Sequence, residues 1–359
     1  MSTSKCPVEG IRVAIIGGGP AGLAAAIELA RLPFVDWHLY EQKPAISEIG
    51  TGITLQRSTW RLLEKLGASK HLRASDFFRP SDGHDNQYSD GLTSEVDLLI
   101  GADGIRSAVR SFAFPDHSVS YTGMTAYRAV VKASDVEQIN GFSKATVFWY
   151  GAEGKEADDG DRSTWGREVS VTKFVERLQE YCEPVQQLLS LVTHVKRFDY
   201  FGGTRLHSVI KHGSIALIGD ASHPLSGAFG AGAAFALEDA HTFAGALHWA
   251  ASATRSLQDA LKLFDSVRSP YYGALYQTMD DIAASHEKTS REAASAEKEI
   301  VGRIENVSKP EHNWMLYHDV RSNPPQSSLF VLIRPEQVDQ ALEDAIAANK
   351  EAIGIRSVL

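Results

Sequence analysis

Residues 10–30 read GIRVAIIGGGPAGLAAAIELA, and this stretch decides the fold. Its β-branched beginning at 11–16 predicts a buried strand of a parallel sheet. The run from Ala21 to Arg31 consists of strong helix formers. A further apolar segment from Trp37 to Glu41 predicts a second strand. Residues 11–41 are therefore predicted to form one β-α-β unit.

The glycines after the first strand follow the spacing G-x-G-x-x-G at Gly17, Gly19 and Gly22. The first permits a sharp turn, the second leaves room for a pyrophosphate, and the third lets the helix pack closely on the sheet. The free N–H groups of the helix start, at Ala21, then face the phosphates. Glu41 follows the last glycine by 19 residues and can accept hydrogen bonds from ribose hydroxyls. The motif predicts a dinucleotide site without separating FAD from NAD.

Composition restricts the classes of partner. The 359-residue chain is 43% hydrophobic and carries a net charge of −9, which argues against nucleic acid and anionic membrane surfaces. Two distant cysteines, Cys6 and Cys182, fit a reducing compartment without a cysteine-built metal site. The sequence shows neither a signal peptide nor a membrane span, and no metal-ligand spacing of histidines. We expect a cytoplasmic protein without a metal site.

Two later segments favour FAD. Residues 97–110 read DLLIGADGIRSAVR, and residues 219–240 read GDASHPLSGAFGAGAAFALEDA. Asp220 follows a strand predicted at 214–218, so it lies at a carboxyl end, where ligands bind in open α/β sheets, and can hold a ribityl chain.

A glycine-rich stretch precedes the Ala-rich helix predicted over 232–250. Gly230, Ala231 and Gly232 stand at its start and allow close backbone approach. The positive end of the helix dipole can stabilise negative charge on a reduced flavin ring. An NAD-dependent dehydrogenase has no need of this second element of carboxylate and helix.

With these motifs in this order, the chain resembles the flavin-dependent aromatic hydroxylases of the salicylate and para-hydroxybenzoate hydroxylase type, from about residue 10 to about residue 280. The resemblance implies FAD as cofactor, NAD(P)H and O₂ as co-substrates, and hydroxylation of a phenolic, salicylate-like or polyketide-derived small molecule. It implies that Asp220 holds the ribityl chain and that Pro224 lies beside the reactive ring. It also implies that Asp103, with Gly104, serves both the flavin and the nicotinamide. Gly52 is also predicted to bind the cofactor.

Simpler interpretations of the same residues stay open. Asp220 is also a suitable helix N-cap, and Asp103 a suitable turn residue. His223 is a candidate acid or base, although packing beside Pro224 is the preferred interpretation, since the flavin itself carries the chemistry.

The substrate side is predicted from residues 121–131, YTGMTAYRAVV, which resemble a strand of the family's second domain. Tyr127 can hydrogen-bond a phenol oxygen, and Arg128 can steady a phenolate or carboxylate. The alternative is a surface cation beside a sheet aromatic. A further strand is predicted at 145–150.

The chain also departs from the family. Only Arg73 to Tyr88 stand where several dozen more residues are usual, and a polar loop at 151–166 replaces part of the substrate sheet. Arg57 and Ser58 stand where a Pro-Asn pair is usual. The alternative functions are therefore a non-hydroxylating flavoprotein oxidoreductase and a catalytically impaired, shortened FAD-binding homologue.

The predicted architecture is α/β. A Rossmann-like FAD-binding domain comprises 8–113 and 205–250, a reduced β-rich substrate domain is inserted at 114–204, and a helical region follows at 251–359. Further helices are predicted at the following positions: 59–72, 171–191, much of 255–306, and 335–350.

Overall fold

The computed structural model describes residues 10–42, 63–64, 70, 95–139, 166–225 and 232–307. The elements predicted at 145–150 and 335–350, and nearly all of the helix predicted at 59–72, lie outside these residues. The strands in the described part are β1 (Ile11–Ile16), β2 (Val35–Tyr40), β3 (Leu98–Gly101), β4 (Val119–Arg128), β5 (Arg167–Glu168), β6 (Lys196–Gly203), β7 (Ile210–Lys211) and β8 (Ile215–Leu217). The helices there are α1 (Pro20–Leu29), α2 (Ala108–Ala113), α3 (Ala133–Val136), α4 (Val171–Glu176), α5 (Glu183–Ser190), α6 (Gly232–Ser252), α7 (Leu257–Glu292) and α8 (Ala296–Val307), with a 3₁₀ turn at Gly219–Ala221.

The first sheet has the strand order β2-β1-β3-β8-β7. Its first four strands run parallel, and β7 runs antiparallel to β8. Because β2 and β3 flank β1 on opposite sides, the chain reverses direction across the sheet at this point. Ligands bind at such a switch point, beyond the carboxyl ends of the strands. The prediction of an α/β fold with a Rossmann-like sheet is confirmed.

The central strands of the first sheet, β1, β3 and β8, are largely buried, as their apolar sequences predict, whereas β2 keeps exposed residues. Ile15, Leu98 and Leu217 are inaccessible to solvent. Helix α1 packs against α6, and its alanines allow the two helices to approach closely. The strand and helix predicted within residues 11–31 are confirmed, although the helix ends at Leu29 instead of Arg31.

A second, antiparallel sheet has the order β4-β6-β5. Strand β4 confirms the strand predicted at 121–131, displaced toward the N-terminus. Strand β6, with the sequence KRFDYFGG, was not predicted because its charges conceal its burial. Arg197 and Asp199 are both buried there, and their side chains pair at 2.7 Å.

The single helix predicted at 171–191 is wrong. Helix α4 ends at Glu176, and α5 begins at Glu183, with Pro184 in its first turn. Proline lacks an amide N–H and disfavours helical geometry in the residue before it, so it suits a helix start and not an interior. The apolar spacing alone did not reveal this interruption.

The C-terminal part of the described chain is helical, as predicted. Helix α7 begins with a capping box between Ser256 and Asp259 and packs against α6, where the rings of Phe243 and Phe264 lie 5.0 Å apart. Among the described residues, none of the helices combines the length and the apolar character needed to cross a bilayer. The boundaries of the three predicted regions stay a prediction.

Candidate functional site

The glycine-rich loop after β1 forms an open cradle. Gly17 has a φ of +108°, and a Cβ there would lie 2.4 Å from the carbonyl oxygen of Ala102. A Cβ at Gly22 would lie 1.9 Å from the carbonyl oxygen of Gly17. A Cβ at Gly19, by contrast, would meet no atom of the described residues within 4 Å apart from its chain neighbours. Two glycines are therefore required by packing, whereas Gly19 borders space that the described residues leave open.

Helix α1 begins at this empty space. Gly19 is its N-cap, Pro20 opens it, and its first turn contains neither a capping side chain nor an acidic residue. The N–H groups of the first turn, at Ala21 and Gly22, have no partner within the helix. These donors and the positive dipole end attract an anion, so the cradle fits a diphosphate.

Glu41 lies at the rim of the cradle, as predicted. The backbone N–H of Gly18 donates a hydrogen bond of 2.6 Å to its Oε2. A carboxylate beside the glycine loop, just past the end of β2, has the position needed to accept ribose hydroxyls. The ribose contact itself stays a prediction.

The second motif meets the first through the Gly17–Ala102 contact. Asp103 follows directly and accepts hydrogen bonds at Oδ2 from the N–H groups of Ala108 and Val109, at 2.7 and 3.2 Å. Its Oδ1 accepts from the Ser107 hydroxyl at 2.5 Å. Asp103 therefore caps α2, which is a structural role of the kind that the sequence left open. Gly104, with a φ of +75°, makes the turn between them.

The third motif also reaches the cradle. Gly219 has a φ of +59°, and a Cβ there would lie 2.8 Å from the Cβ of Ala21. The carboxylate Oδ1 of Asp220 lies 3.5 Å from the position of a Cβ at Gly232, the first residue of α6. Asp220 thus faces the start of α6 from the carboxyl end of β8. Asp220 is exposed to solvent, yet the protein atoms crowded around its carboxyl raise its pKa by desolvation, while His223 and Arg110 act in the opposite direction.

Arg110 was missed by the sequence analysis. Its side chain is 2% exposed, and its Nη1 donates to the carbonyl oxygens of Asp220 and Ala221 at 3.1 and 2.9 Å. Its Nη2 donates to the carbonyl oxygen of Ile105. Burial lowers the pKa of the guanidinium, and the charge of Asp103 opposes this. The signal was present, since Arg110 closes the quoted stretch DGIRSAVR.

His223 is inaccessible to solvent, and its Nε2 lies 2.8 Å from Oδ2 of Asp239. Its ring packs 4.6 Å from that of Tyr272. Asp239 also contacts Arg268, another residue that sequence analysis did not single out. The imidazole therefore faces the α6–α7 interior, which agrees with the packing interpretation, and its catalytic role stays a prediction. Pro224, next in the chain, is also buried.

Tyr127 and Arg128 lie on opposite faces of β4, because successive strand residues alternate. The hydroxyl of Tyr127 accepts a 2.5 Å hydrogen bond from Nη1 of Arg177. The guanidinium of Arg128 lies 4.5 Å from the ring centroid of Phe198. The two predicted substrate residues therefore cannot line one face of the sheet together.

Three of the predicted cofactor-binding residues, Gly52, Gly230 and Ala231, lie outside the described residues. In the part of the chain that the structure describes, no group of three His, Cys, Asp or Glu residues is arranged to hold a metal ion.

Comparison with known proteins agrees with this geometry. Residues 10–87 match the family described as an FAD binding domain. The chain is 24% identical to a salicylate hydroxylase of Pseudomonas putida, over 92% of this chain and 97% of that protein. The chain is therefore similar to FAD-dependent monooxygenases of the aromatic-hydroxylase type. The alignment with the Pseudomonas protein has 426 positions, more than the 359 residues here, so the relative has segments without a counterpart in this chain.

Solved structures share the fold. One described as CtdE in complex with FAD and substrate 4 has a TM-score of 0.66 at 17% identity, covering 96% of this chain and 99% of that one. One described as a salicylate hydroxylase substrate complex has a TM-score of 0.63 at 20% identity, covering 94% and 98%. The chain therefore shares the fold of these two proteins over nearly its whole length.

Proposed function

We propose that this flavoprotein hydroxylates a phenolic, salicylate-like or polyketide-derived small molecule, with NADH or NADPH and O₂ as co-substrates. One observation carries the proposal. Three motifs far apart in the sequence meet at the carboxyl edge of the first sheet, through the contacts Gly17–Ala102 and Ala21–Gly219. That edge is where a parallel sheet with this strand order binds its ligand.

Different residues of this edge bind different parts of the cofactor. The cradle at Gly19 and the N–H groups of Ala21 and Gly22 hold the diphosphate, and Glu41 holds the adenosine ribose. Asp220 holds the ribityl chain. When bound, FAD supplies a ring that accepts a hydride from the nicotinamide and passes oxygen from O₂ to the substrate.

The N-terminus of α6 directs its positive dipole end toward the edge, at Gly232, beside Asp220. The dipole of this helix stabilises negative charge at that position. Asp103 and Gly104 shape the neighbouring loop, and Asp103 serves the nicotinamide side.

The substrate is oriented by the second sheet. Arg177 fixes the hydroxyl of Tyr127, so this phenol can meet a substrate oxygen in one defined direction. Arg128 lies on the other face, over Phe198, and assists an anionic substrate only if the substrate reaches that face. His223 and Pro224 contribute to the site from its buried side.

A second candidate is a flavoprotein that binds FAD but does not hydroxylate, either as another oxidoreductase or as an impaired homologue. The observation that favours it is the alignment of 426 positions against a shorter chain, which leaves segments of the relative without a counterpart.

The test is to purify the protein, record its flavin absorbance, and follow bleaching by NADH or NADPH with a panel of phenols and salicylates. Hydroxylation predicts that one aromatic compound accelerates bleaching and gains one oxygen atom in the product. Bleaching with hydrogen peroxide as the only product favours the non-hydroxylating oxidoreductase. A yellow protein that never bleaches favours the impaired homologue.

A further inference from the structure

We propose that Asp239 of α6 is a positioning residue that holds the turn Gly219–His223 in the shape required for FAD binding. The proposal rests on the FAD site described above, because Asp220 lies within this turn. Asp239 does not reach the open cradle itself. It acts through the backbone and side chains that it binds.

The carboxylate of Asp239 is inaccessible to solvent and accepts four hydrogen bonds. Its Oδ2 accepts from the N–H of Gly219 at 2.9 Å and lies 2.8 Å from Nε2 of His223. Its Oδ1 accepts from Nε of Arg268 at 2.7 Å and from the hydroxyl of Tyr272 at 2.6 Å. One oxygen therefore binds both ends of the turn, and the other is anchored to α7.

The turn is fixed from its other side by Arg110, which binds the carbonyl oxygens of Asp220 and Ala221. A buried anion thus holds the N–H and imidazole of the turn, and a buried cation holds its carbonyl groups. The carboxylate of Asp220 takes no part in either set of bonds. It is left directed toward the start of α6, where the ribityl chain is placed.

The ionised form of Asp239 is required by its partners. Burial raises the pKa of this carboxyl, but the charge of Arg268 and the contacts with His223 and Tyr272 outweigh burial and hold the pKa well below its ordinary value. Arg268 is inaccessible to solvent too, and its second carboxylate partner is Glu238 at 3.0 Å. The turn is therefore bound by a carboxylate whose charge is compensated inside the protein.

An amide cannot replace this carboxylate. In Asp239→Asn, the single carbonyl oxygen can face either Arg268 or Gly219, and the amide N–H₂ must face the other. Arginine stays protonated and a backbone N–H cannot become an acceptor, so one donor always opposes another. Because the charged Arg268 attracts the oxygen more strongly, Gly219 loses its acceptor and His223 must change tautomer.

Glu238→Gln is the matched control. It is the same change of carboxylate to amide, at the neighbouring residue of α6, against the same Arg268. Its amide oxygen can still accept from Arg268, and Glu238 makes no hydrogen bond with the turn among the described residues. Both variants disturb one buried charge, but only Asp239→Asn reaches Gly219.

The experiment measures the dissociation constant of FAD by quenching of flavin fluorescence, with thermal unfolding of the apoprotein in parallel. The wild type must bind FAD, and its failure to do so would contradict the FAD site and not this proposal. We expect Asp239→Asn to raise the dissociation constant about tenfold or more, since an orphaned buried donor has this order of cost. Glu238→Gln stays within about threefold of the wild type. Equal affinity of the two variants would overturn the proposal.

A second pair keeps the test decisive if Asp239→Asn does not fold. His223→Gln retains a side-chain donor for Asp239, whereas His223→Leu packs well among Tyr272 and Phe235 but donates nothing. Positioning predicts that the glutamine variant binds FAD more tightly than the leucine variant. If His223 only fills space, the leucine variant binds FAD as well as the glutamine variant or better, and the proposal is refuted.

Discussion

A substitution that fills the open cradle at Gly19 is expected to weaken FAD binding while the protein still folds. A valine there places its Cβ where no atom of the described residues other than its chain neighbours lies within 4 Å, and the φ of −74° and ψ of −176° suit any residue. We therefore expect the folded state to accept this Cβ without a clash with the described residues. The remaining cost is the poorer N-cap of α1, on the order of 1 kcal/mol.

The effect on FAD is larger because the added side chain occupies the space of the diphosphate. Phosphate oxygens must approach the N–H groups of Ala21 and Gly22 to hydrogen-bond distance, about 2.9 Å. A branched side chain at Gly19 holds them away from these donors. Hydrogen bonds to charged groups contribute about 1.5–3 kcal/mol each. Loss of one such bond raises the dissociation constant of FAD by roughly 10-fold to 150-fold.

The assay titrates FAD into Gly19→Val, wild type and a control, Gly273→Ala, and follows quenching of flavin fluorescence. Gly273 lies in α7, and a Cβ there also meets no atom of the described residues within 4 Å beyond its own stretch of helix. The control adds a side chain in open space far from the cradle in sequence, and alanine favours the helix. The reasoning is refuted if Gly19→Val folds and binds FAD within about threefold of the control.

Three further predictions follow from buried groups. Arg110→Met leaves buried carbonyl oxygens without their donor, so urea unfolding should show a loss of about 2–4 kcal/mol together with weaker FAD binding; unchanged stability would contradict its role at the turn. Asp199→Asn breaks the buried pair with Arg197 and should cost about 3–5 kcal/mol in the same assay, yet leave the affinity for FAD unchanged; a fall in affinity would show that the second sheet shapes the cofactor site. Burial raises the pKa of Tyr276 to about 12, so the folded state keeps its proton while the unfolded state loses it, and stability falls as the pH rises from about 10 to 12. When the pH is raised to ~11.5, the free energy of unfolding of Tyr276→Phe should fall by about 2 kcal/mol less than that of the wild type. Equal falls in the two proteins would count against this pKa.

The sequence predicted the strands and helices whose signal lies within a few neighbouring residues. The apolar run at 11–16 predicts a strand, the residues after the glycine motif predict a helix, and the structure contains both. Strand β6 was not predicted, because Arg197 and Asp199 form a buried ion pair within it and the sequence shows them only as two charged residues. Tertiary pairing here overrides composition. The break at Pro184 was a local signal that the apolar spacing concealed.

The candidate site divides in the same way. The glycines, Glu41 and Asp220 were predicted because each follows a recognisable strand or precedes a recognisable helix. Arg110, Asp239 and Arg268 were not, because what makes them significant is a contact with residues distant in the sequence. The bond from Arg110 to Ala221, for example, joins residues 111 positions apart. A single sequence carries no record of such pairs.

Most of the described contacts that shape the FAD edge come from elements outside the predicted substrate region. In the described residues, the turn at Gly219–His223 is held by α2, α6 and α7, and the cradle is held by β1, β3 and the start of α1. A contact from the second sheet to the neighbouring loop is the ring of Phe201, 5.3 Å from the guanidinium of Arg106. Such an exposed-type contact contributes about 0.5–1 kcal/mol, less than any one of the buried charged bonds. Among the described residues, the geometry of the cofactor edge therefore depends little on the second sheet. We expect a shortening of the predicted substrate region to affect substrate choice and the exclusion of water instead.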